Sequence, residues 1–264
     1  MQLVDIGANL THDSFRHDLA AVLARAHEHG VAQMVVTGAS AQGARAALAL
    51  AQAHPGVLFA TAGVHPHHAS EFDADTEQLL RDLHACSEVV AVGETGLDYH
   101  RNFSPRDAQL FAFERQLELA AECGKPLFLH QRDAHADFLA CMDNVRGRIG
   151  RAVVHCFTGD ARELADYLER DFYIGITGWI CDERRGLHLR ELVKSIPSPR
   201  LLLETDAPYL LPRNLKPMPS HRRNEPMFLA HVGAEVARDR GEDLAVTAAN
   251  ATAASRQFFA LPAV

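Results

Sequence analysis

The chain has 264 residues, of which 47% are hydrophobic and 23% charged, so it can bury a sizeable core and lacks the composition of a disordered chain. Its formal net charge of -8 at pH 7 argues against binding nucleic acid through a generally basic surface. Only three of the 26 basic residues are lysines, however, and arginine is the side chain that binds phosphate in a planar, bidentate way. Local phosphate contacts are therefore compatible with the composition.

The first residues, Met1 to Asp5, contain no basic segment followed by an apolar run, and nowhere do about 18 apolar residues follow one another. We therefore expect a cytoplasmic protein with no membrane partner. Its five cysteines are an odd number and form no C-x-x-C pair, which argues against a disulfide framework or a structural zinc site. We expect reduced thiols that lie mostly in the core.

Short apolar runs alternate with helical patterns from one end of the chain to the other. Eight of these runs predict strands, at Leu3 to Ile6, Met34 to Thr37, Leu58 to Val64, Val89 to Gly93, Leu127 to His130, Ala152 to His155, Tyr173 to Ile176 and Leu201 to Glu204.

The helical patterns between the strands have recognisable ends. Ser104 is expected to cap a helix that has Pro105 at its first position and stops at Gly124. Asp160, with Glu163 three residues later, predicts a capping box at the start of another helix.

Strands that are apolar on both faces and joined by helices imply a parallel sheet, and eight such units predict an α/β fold, a (β/α)8 TIM barrel of the metal-dependent hydrolase type. An open doubly wound sheet is the alternative. No linker divides the chain, so we expect a single domain spanning residues 1–264. The longest irregular stretch, Ala207 to Pro226, follows the last predicted strand, which in a barrel places it over the active face.

Each predicted strand is apolar until its carboxyl end, where residues capable of ligation or proton transfer appear. In a (β/α)8 barrel the strand ends open onto the face that carries the active site. Six such residues are therefore expected to converge there: Asp5, His65, Glu94, His130, His155 and Asp206.

Glu94, His130 and His155 end strands four, five and six and combine one carboxylate with two imidazoles. That set of donors suits Zn, Mn or, less ideally, Mg. The sequence therefore predicts at least one divalent ion held by these three residues. His67 lies at the same barrel mouth as His65 and is a candidate substrate contact.

Other catalytic patterns are absent or weak. The chain contains no H-E-x-x-H and no G-x-S-x-G motif, and the segment from Gly38 to Arg45 is similar to a phosphate-binding loop but lacks its lysine. Cys156 directly follows His155, so on a strand the two would point in opposite directions, which argues against a Cys/His nucleophile pair.

The chain resembles the TatD family of metal-dependent deoxyribonucleases along its whole length. The resemblance rests on seven segments in order, Asp5 to Leu10, Thr61 to His67, Gly93 to Tyr99, His130 to Ala134, His155 to Gly159, Glu204 to Tyr209 and Arg222 to Pro226. It implies a cytoplasmic, Mg-dependent nuclease that degrades DNA, and RNA as a second substrate, from the 3′ end, in DNA repair or degradation.

The resemblance also implies residue roles. Glu94, His130 and His155 correspond to metal ligands, His65 to a substrate-facing residue near the scissile phosphate, and Asp206 to the acid/base group that orients the water. Most relatives carry H-x-H at the end of the first strand, where this chain has Gly7 and Asn9. Glycine cannot ligate, and Asn9 offers only a neutral amide to a second ion or to the substrate.

Arginines in the loops after the late strands are candidates for binding backbone phosphates of single-stranded DNA, and we favour Arg132, Arg213 and Arg223. Two other functions remain open. One is hydrolysis of an ester or amide at a similar metal site, such as deacylation of an aminoacyl-tRNA. The other is a non-enzymatic role, in which the site is a structural metal clip or a docking surface for nucleic acid; it fits poorly because three protein ligands leave coordination positions open. We expect a monomer.

Overall fold

The computed structural model describes residues 2–263. Eight strands are hydrogen-bonded in sequence order within one sheet, and every strand pair described is parallel. The strands are β1 Leu3–Ala8, β2 Val31–Val36, β3 Leu58–Ala62, β4 Val89–Asp98, β5 Leu127–Arg132, β6 Ala152–Val154, β7 Tyr173–Ile176 and β8 Leu201–Leu203. Helices follow the strands along the chain, which is the connectivity of a (β/α)8 barrel, so the predicted fold class is confirmed.

The helices within the described residues are α1 Leu19–Glu28, α2 Ala41–Ala53, α3 Ala74–His84, α4 Arg106–Cys123, α5 His135–Asn144, α6 Ala161–Glu169, α7 Leu187–Leu192, α8 Leu229–Arg240 and α9 Leu244–Phe259. Over residues 2–263, none of them has the length and apolar character that crossing a membrane requires. Residues 207–225 form no regular element, as predicted.

Two helix ends test the capping predictions. Asp160 and Glu163 form the expected capping box at the start of α6. The prediction for Ser104 is wrong, because Pro105 occupies the N-cap of α4 and the Ser104 hydroxyl instead donates to the His67 carbonyl, 3.0 Å away. The same hydroxyl accepts from the Ser70 amide at 3.1 Å, so its hydrogen bonds go to the loop before the helix and none goes to the helix amides.

The five cysteines are free thiols. Only Cys141 and Cys181 are buried, so the expectation that most of them lie in the core is wrong.

The described residues group into two compact units. The central unit is Thr37–His155, and the terminal unit combines the residues up to Val36 with those from Cys156 onward. Whether the chain behaves as the single domain we expect stays a prediction.

In the central unit, β3, β4, β5 and β6 pair side by side and α4 packs against β4. Two buried glutamines of α4 hold the backbone near the strand ends. The Gln116 side chain accepts from the Val64 amide at 2.7 Å, and the Gln109 side chain accepts from the Asp98 amide at 2.8 Å. Each also donates to the carbonyl of the same residue. These paired bonds fix the segments that carry His65 and Asp98.

In the terminal unit, the end of β1 is joined to the segment that follows β8. The Thr205 amide donates to Asp5 at 3.0 Å, and the Asp206 amide donates to the Gly7 carbonyl at 2.8 Å. The Asn9 amide in turn donates to the Ala207 carbonyl at 2.7 Å. Residues 5–9 and 205–207 are therefore held together along their length.

Candidate active site

Three imidazoles of the central unit converge on one carboxylate oxygen, Oε1 of Glu94. His155 Nε2 lies 2.7 Å from this atom, His130 Nδ1 3.2 Å and His65 Nε2 3.4 Å. Glu94, His65 and His155 are buried and His130 is partly exposed. The three residues predicted as ligands are thus brought together, and His65 joins them.

Two glycines allow β4 and β5 to approach closely enough for this cluster. Gly93 and Gly96 have φ values of 142° and 144°, which side-chain-bearing residues rarely adopt. A Cβ at Gly93 would lie 2.1 Å from the Phe128 carbonyl oxygen, and one at Gly96 would lie 1.8 Å from that of His130. The G-E-T-G spacing is therefore needed to place Glu94 beside His130.

Asp98 is a member of this site that the sequence reasoning missed. Its Oδ2 atom lies 2.9 Å from His67 Nε2 and 3.4 Å from His130 Nε2, and its Oδ1 accepts from the Arg101 amide. The residue is 2% exposed. Asp98 is four residues beyond Glu94 on the same strand, and the two-residue strand repeat puts both on one side. That spacing could have revealed it, had β4 been predicted to extend past Gly93.

The charges of the cluster support one another. Burial opposes ionisation of Glu94, yet the facing histidines, His155 foremost, hold its pKa well below the ordinary value. Burial likewise opposes ionisation of Asp98, and the facing imidazoles of His130 and His67 hold its pKa below the ordinary value. Burial lowers the pKa of His65 well below its ordinary value, which keeps this imidazole neutral. Both carboxylates are therefore negative and available to a cation.

In the terminal unit, the predicted acid/base residue Asp206 is hydrogen-bonded to the predicted substrate contact Asn9. The side-chain amide of Asn9 donates through Nδ2 to Asp206 Oδ1 at 2.9 Å. Asp5, also expected among the convergent residues, is fully buried and bonded to Thr205, and burial raises its pKa to about 7. The Asn9 side chain thus orients the Asp206 carboxylate.

Comparisons with known proteins identify the family. The family model described as TatD related DNase matches residues 4–260. The chain belongs to this family. It is 54% identical over 241 residues to the 3′-5′ ssDNA/RNA exonuclease TatD of Enterobacter lignolyticus, covering 91% of this chain and 92% of that protein. It is 50% identical over 259 residues to the protein of the same name from Erwinia tasmaniensis, covering 98% of this chain and all of that protein.

Solved structures of the family share the fold. The TatD homolog from Escherichia coli K12 matches with a TM-score of 0.89 at 27% identity, over 98% of both chains. A hydrolase of the TatD family from Entamoeba histolytica matches with a TM-score of 0.85 at 26% identity, again over 98% of both chains. Family membership makes the protein a hydrolase that acts on phosphodiester bonds of DNA.

The cluster of this TatD family member has the donors that a divalent cation requires. Ligand atoms of His65, Glu94 and His130 all lie within 4.8 Å of one another, and His155 Nε2 approaches the same Glu94 oxygen. A set of imidazole nitrogens and one negative carboxylate suits Zn best, then Mn, and then Mg, which prefers oxygen ligands. The residues present therefore fit a divalent metal.

The predicted arginine contacts occupy different environments. Arg132 is the last residue of β5 and is partly exposed. Arg213 pairs through Nε with Asp182, 3.0 Å away, and half of its side chain is exposed. Arg223 is engaged with Asp18 at 2.6 Å and with Glu225 at 2.7 Å, and its guanidinium lies over the Phe15 ring. Arg223 thus has a structural role, and its contact with substrate stays a prediction.

Proposed function

We propose that the protein is a metal-dependent 3′-5′ exonuclease that hydrolyses phosphodiester bonds of single-stranded DNA and also of RNA. The observation that carries this proposal is the convergence of His65, His130 and His155 on one oxygen of Glu94, with Asp98 Oδ2 3.4 Å from the far nitrogen of His130. The names of the similar proteins support the substrate and the direction of digestion.

Glu94, His130 and His155 are the proposed metal ligands. His65 is also close enough to ligate, but its Nδ1 accepts a hydrogen bond from the His67 amide at 3.0 Å. A neutral imidazole with an accepting Nδ1 carries its proton on Nε2, so that atom donates hydrogen bonds and is not a ligand. His155 therefore completes the ligand set better than His65 does.

Mg is the expected ion, with Mn or Zn as alternatives. When bound, a divalent cation would polarise a phosphoryl oxygen and lower the pKa of a nearby water. Asp206 accepts the proton of the attacking water, and Asn9 holds the carboxylate in position for this. His65 donates its Nε2 hydrogen to the negative charge that develops on the phosphate.

The remaining predicted residues bind substrate in this proposal. His67, Arg132, Arg213 and Arg223 contact the strand, the arginines through its phosphates. We further propose that the enzyme acts as a monomer in the cytoplasm, in repair or degradation of DNA.

The proposal is tested with single-stranded DNA labelled at its 3′ or its 5′ end, across a series of Mg, Mn and Zn concentrations. We expect metal-dependent release of the 3′ label first, with both Glu94→Ala and His155→Ala inactive but retaining the wild-type circular dichroism spectrum. A charged tRNA serves as the alternative substrate. Normal DNA hydrolysis by either variant, or activity on the tRNA ester alone, contradicts the proposal.

A further inference from the structure

A cavity of about 530 Å³ opens in the terminal unit, beside the segments that follow β7 and β8. Trp179 comes shortly after β7, and Tyr209 lies six residues after the last residue of β8. The volume falls within the range of about 300–1,000 Å³ that is typical of sites for small ligands. Segments that follow strands in this way carry binding residues in (β/α)8 enzymes.

The cavity offers flat, exposed faces of the kind on which nucleobases stack. Tyr209 carries a large aromatic side chain and is nevertheless 51% exposed, and Met218, which lines the same cavity, is 44% exposed. The Arg185 guanidinium lies over the Trp179 ring, with its Cζ 4.3 Å from the ring centre. Aromatic rings and guanidinium planes both stack with any of the bases, so such contacts do not depend on the nucleic-acid sequence.

The charge of the cavity favours an anion. Three arginines line it, Arg185, Arg213 and Arg222, against the single carboxylate of Asp182. Asp182 pairs with Nε of Arg213 at 3.0 Å and with Nε of Arg185 at 3.2 Å. Both of these contacts are made by the Nε atom of the arginine. A cavity with this excess of arginine stands out in a chain of net charge -8.

We infer that this cavity is a nucleotide subsite for single-stranded nucleic acid. A base stacks against Tyr209 and the Trp179–Arg185 pair, and the adjoining backbone phosphate is bound by Arg213 and Arg222. Asp182 acts as a positioning residue that aligns Arg185 and Arg213. The inference rests on the proposed function for its choice of ligand, but binding here needs no metal and no hydrolysis.

Trp179 is the only tryptophan in the chain, so its fluorescence reports directly on this cavity. The enzyme is titrated in EDTA, which prevents hydrolysis, with a ten-residue oligothymidylate, with deoxyadenosine monophosphate and with inorganic phosphate. We expect saturable quenching by the oligonucleotide, weaker quenching by the mononucleotide and none by phosphate alone. No quenching by the oligonucleotide overturns the inference.

Variants locate the binding energy. Tyr209→Ala should raise the oligonucleotide Kd about 5- to 100-fold, the effect of removing one stacking contact, and Tyr209→Phe should restore it because the ring remains. Arg213→Gln should weaken binding about 10-fold and reduce the salt dependence by about one phosphate contact. Phe111→Ala and Arg148→Gln, exposed residues of the central unit, are the matched controls and should leave Kd unchanged.

The outcomes separate this inference from the proposed function. If Tyr209→Ala raises the oligonucleotide Kd but the wild type hydrolyses no labelled DNA with any metal, the result supports the subsite and contradicts the nuclease proposal. Metal-dependent DNA hydrolysis with an unchanged Kd in Tyr209→Ala supports the nuclease and overturns the subsite. The melting temperature of Tyr209→Ala, compared with that of the wild type, shows whether the variant folds. If Tyr209→Ala is unfolded, the Kd of Tyr209→Phe is compared with that of Arg213→Gln instead.

Discussion

Replacing Asp98 by Asn tests whether a carboxylate outside the ligand set tunes the metal site. His130 presents Nδ1 to Glu94, and its Nε2 lies 3.4 Å from Asp98 Oδ2 on the other side of the ring. Asparagine has one acceptor where aspartate has two. If its oxygen keeps the bond from the Arg101 amide, its NH2 group faces His130 and His67, and two donors then oppose each other.

The size of the effect follows from the contacts that are lost. A hydrogen bond to a charged group contributes about 1.5–3 kcal/mol, and Asp98 is buried enough that water cannot replace its bonds fully. Loss of a carboxylate behind a metal-bound histidine costs roughly 10- to 100-fold in metal affinity. We therefore expect Asp98→Asn to raise the Kd for Mn by about that factor, with activity largely recovered at saturating metal.

The assay is calorimetric titration of Mn into metal-free enzyme, followed by the metal dependence of DNA hydrolysis. The matched control is Asp133→Asn, which breaks a similar 2.9 Å contact between Asp133 and His100 on the exposed surface. Surface pairs of this kind contribute little, so the control should bind metal as the wild type does. An unchanged Kd in Asp98→Asn, or an equal loss in the control, would refute the reasoning.

Three further predictions concern single side chains. Glu94→Gln should lower Mn affinity at least 100-fold by calorimetry, because the site loses the carboxylate on which His65, His130 and His155 converge; retained affinity would exclude Glu94 as a ligand. Asn9→Ala should lower kcat about 10-fold with little change in KM, measured on labelled DNA, because Asp206 loses an orienting hydrogen bond; a change in KM alone would instead make Asn9 a substrate contact. Burial and the charge of Lys125 lower the pKa of His84 to about 4, so the folded state resists a proton that the unfolded chain accepts near 6.5, and stability present above pH 6.5 is lost towards pH 4. Over that window His84→Gln should remove up to about 3 kcal/mol of the acid-induced loss of stability, measured by urea unfolding, and an unchanged pH dependence in the variant would contradict this account.

Much of the site could be predicted from the sequence because its residues follow apolar strands. The places of Glu94, His130 and His155 at strand ends, together with their donor types, predict a metal site, and the structure brings the three within reach of one another. The capping box at Asp160 is likewise local, since it involves residues only three apart. Local patterns of this kind depend on hydrogen bonds and burial within one element, which the order of residues determines directly.

Other features depend on contacts between residues far apart in the chain. The Asn9 amide meets Asp206 across 197 positions, and Arg223 meets Asp18 across 205. Neither partner could be chosen from the many carboxylates in the sequence. Asp98 belongs to the site because β4 extends past Gly93 as far as this residue, and Gly93 and Gly96 let β4 pair closely with β5. The alternation of apolar runs and polar residues thus predicts the eight strands and most of the polar residues at their ends. Packing between elements places each carboxylate opposite a particular histidine or arginine, because hydrogen-bond distances depend on that packing.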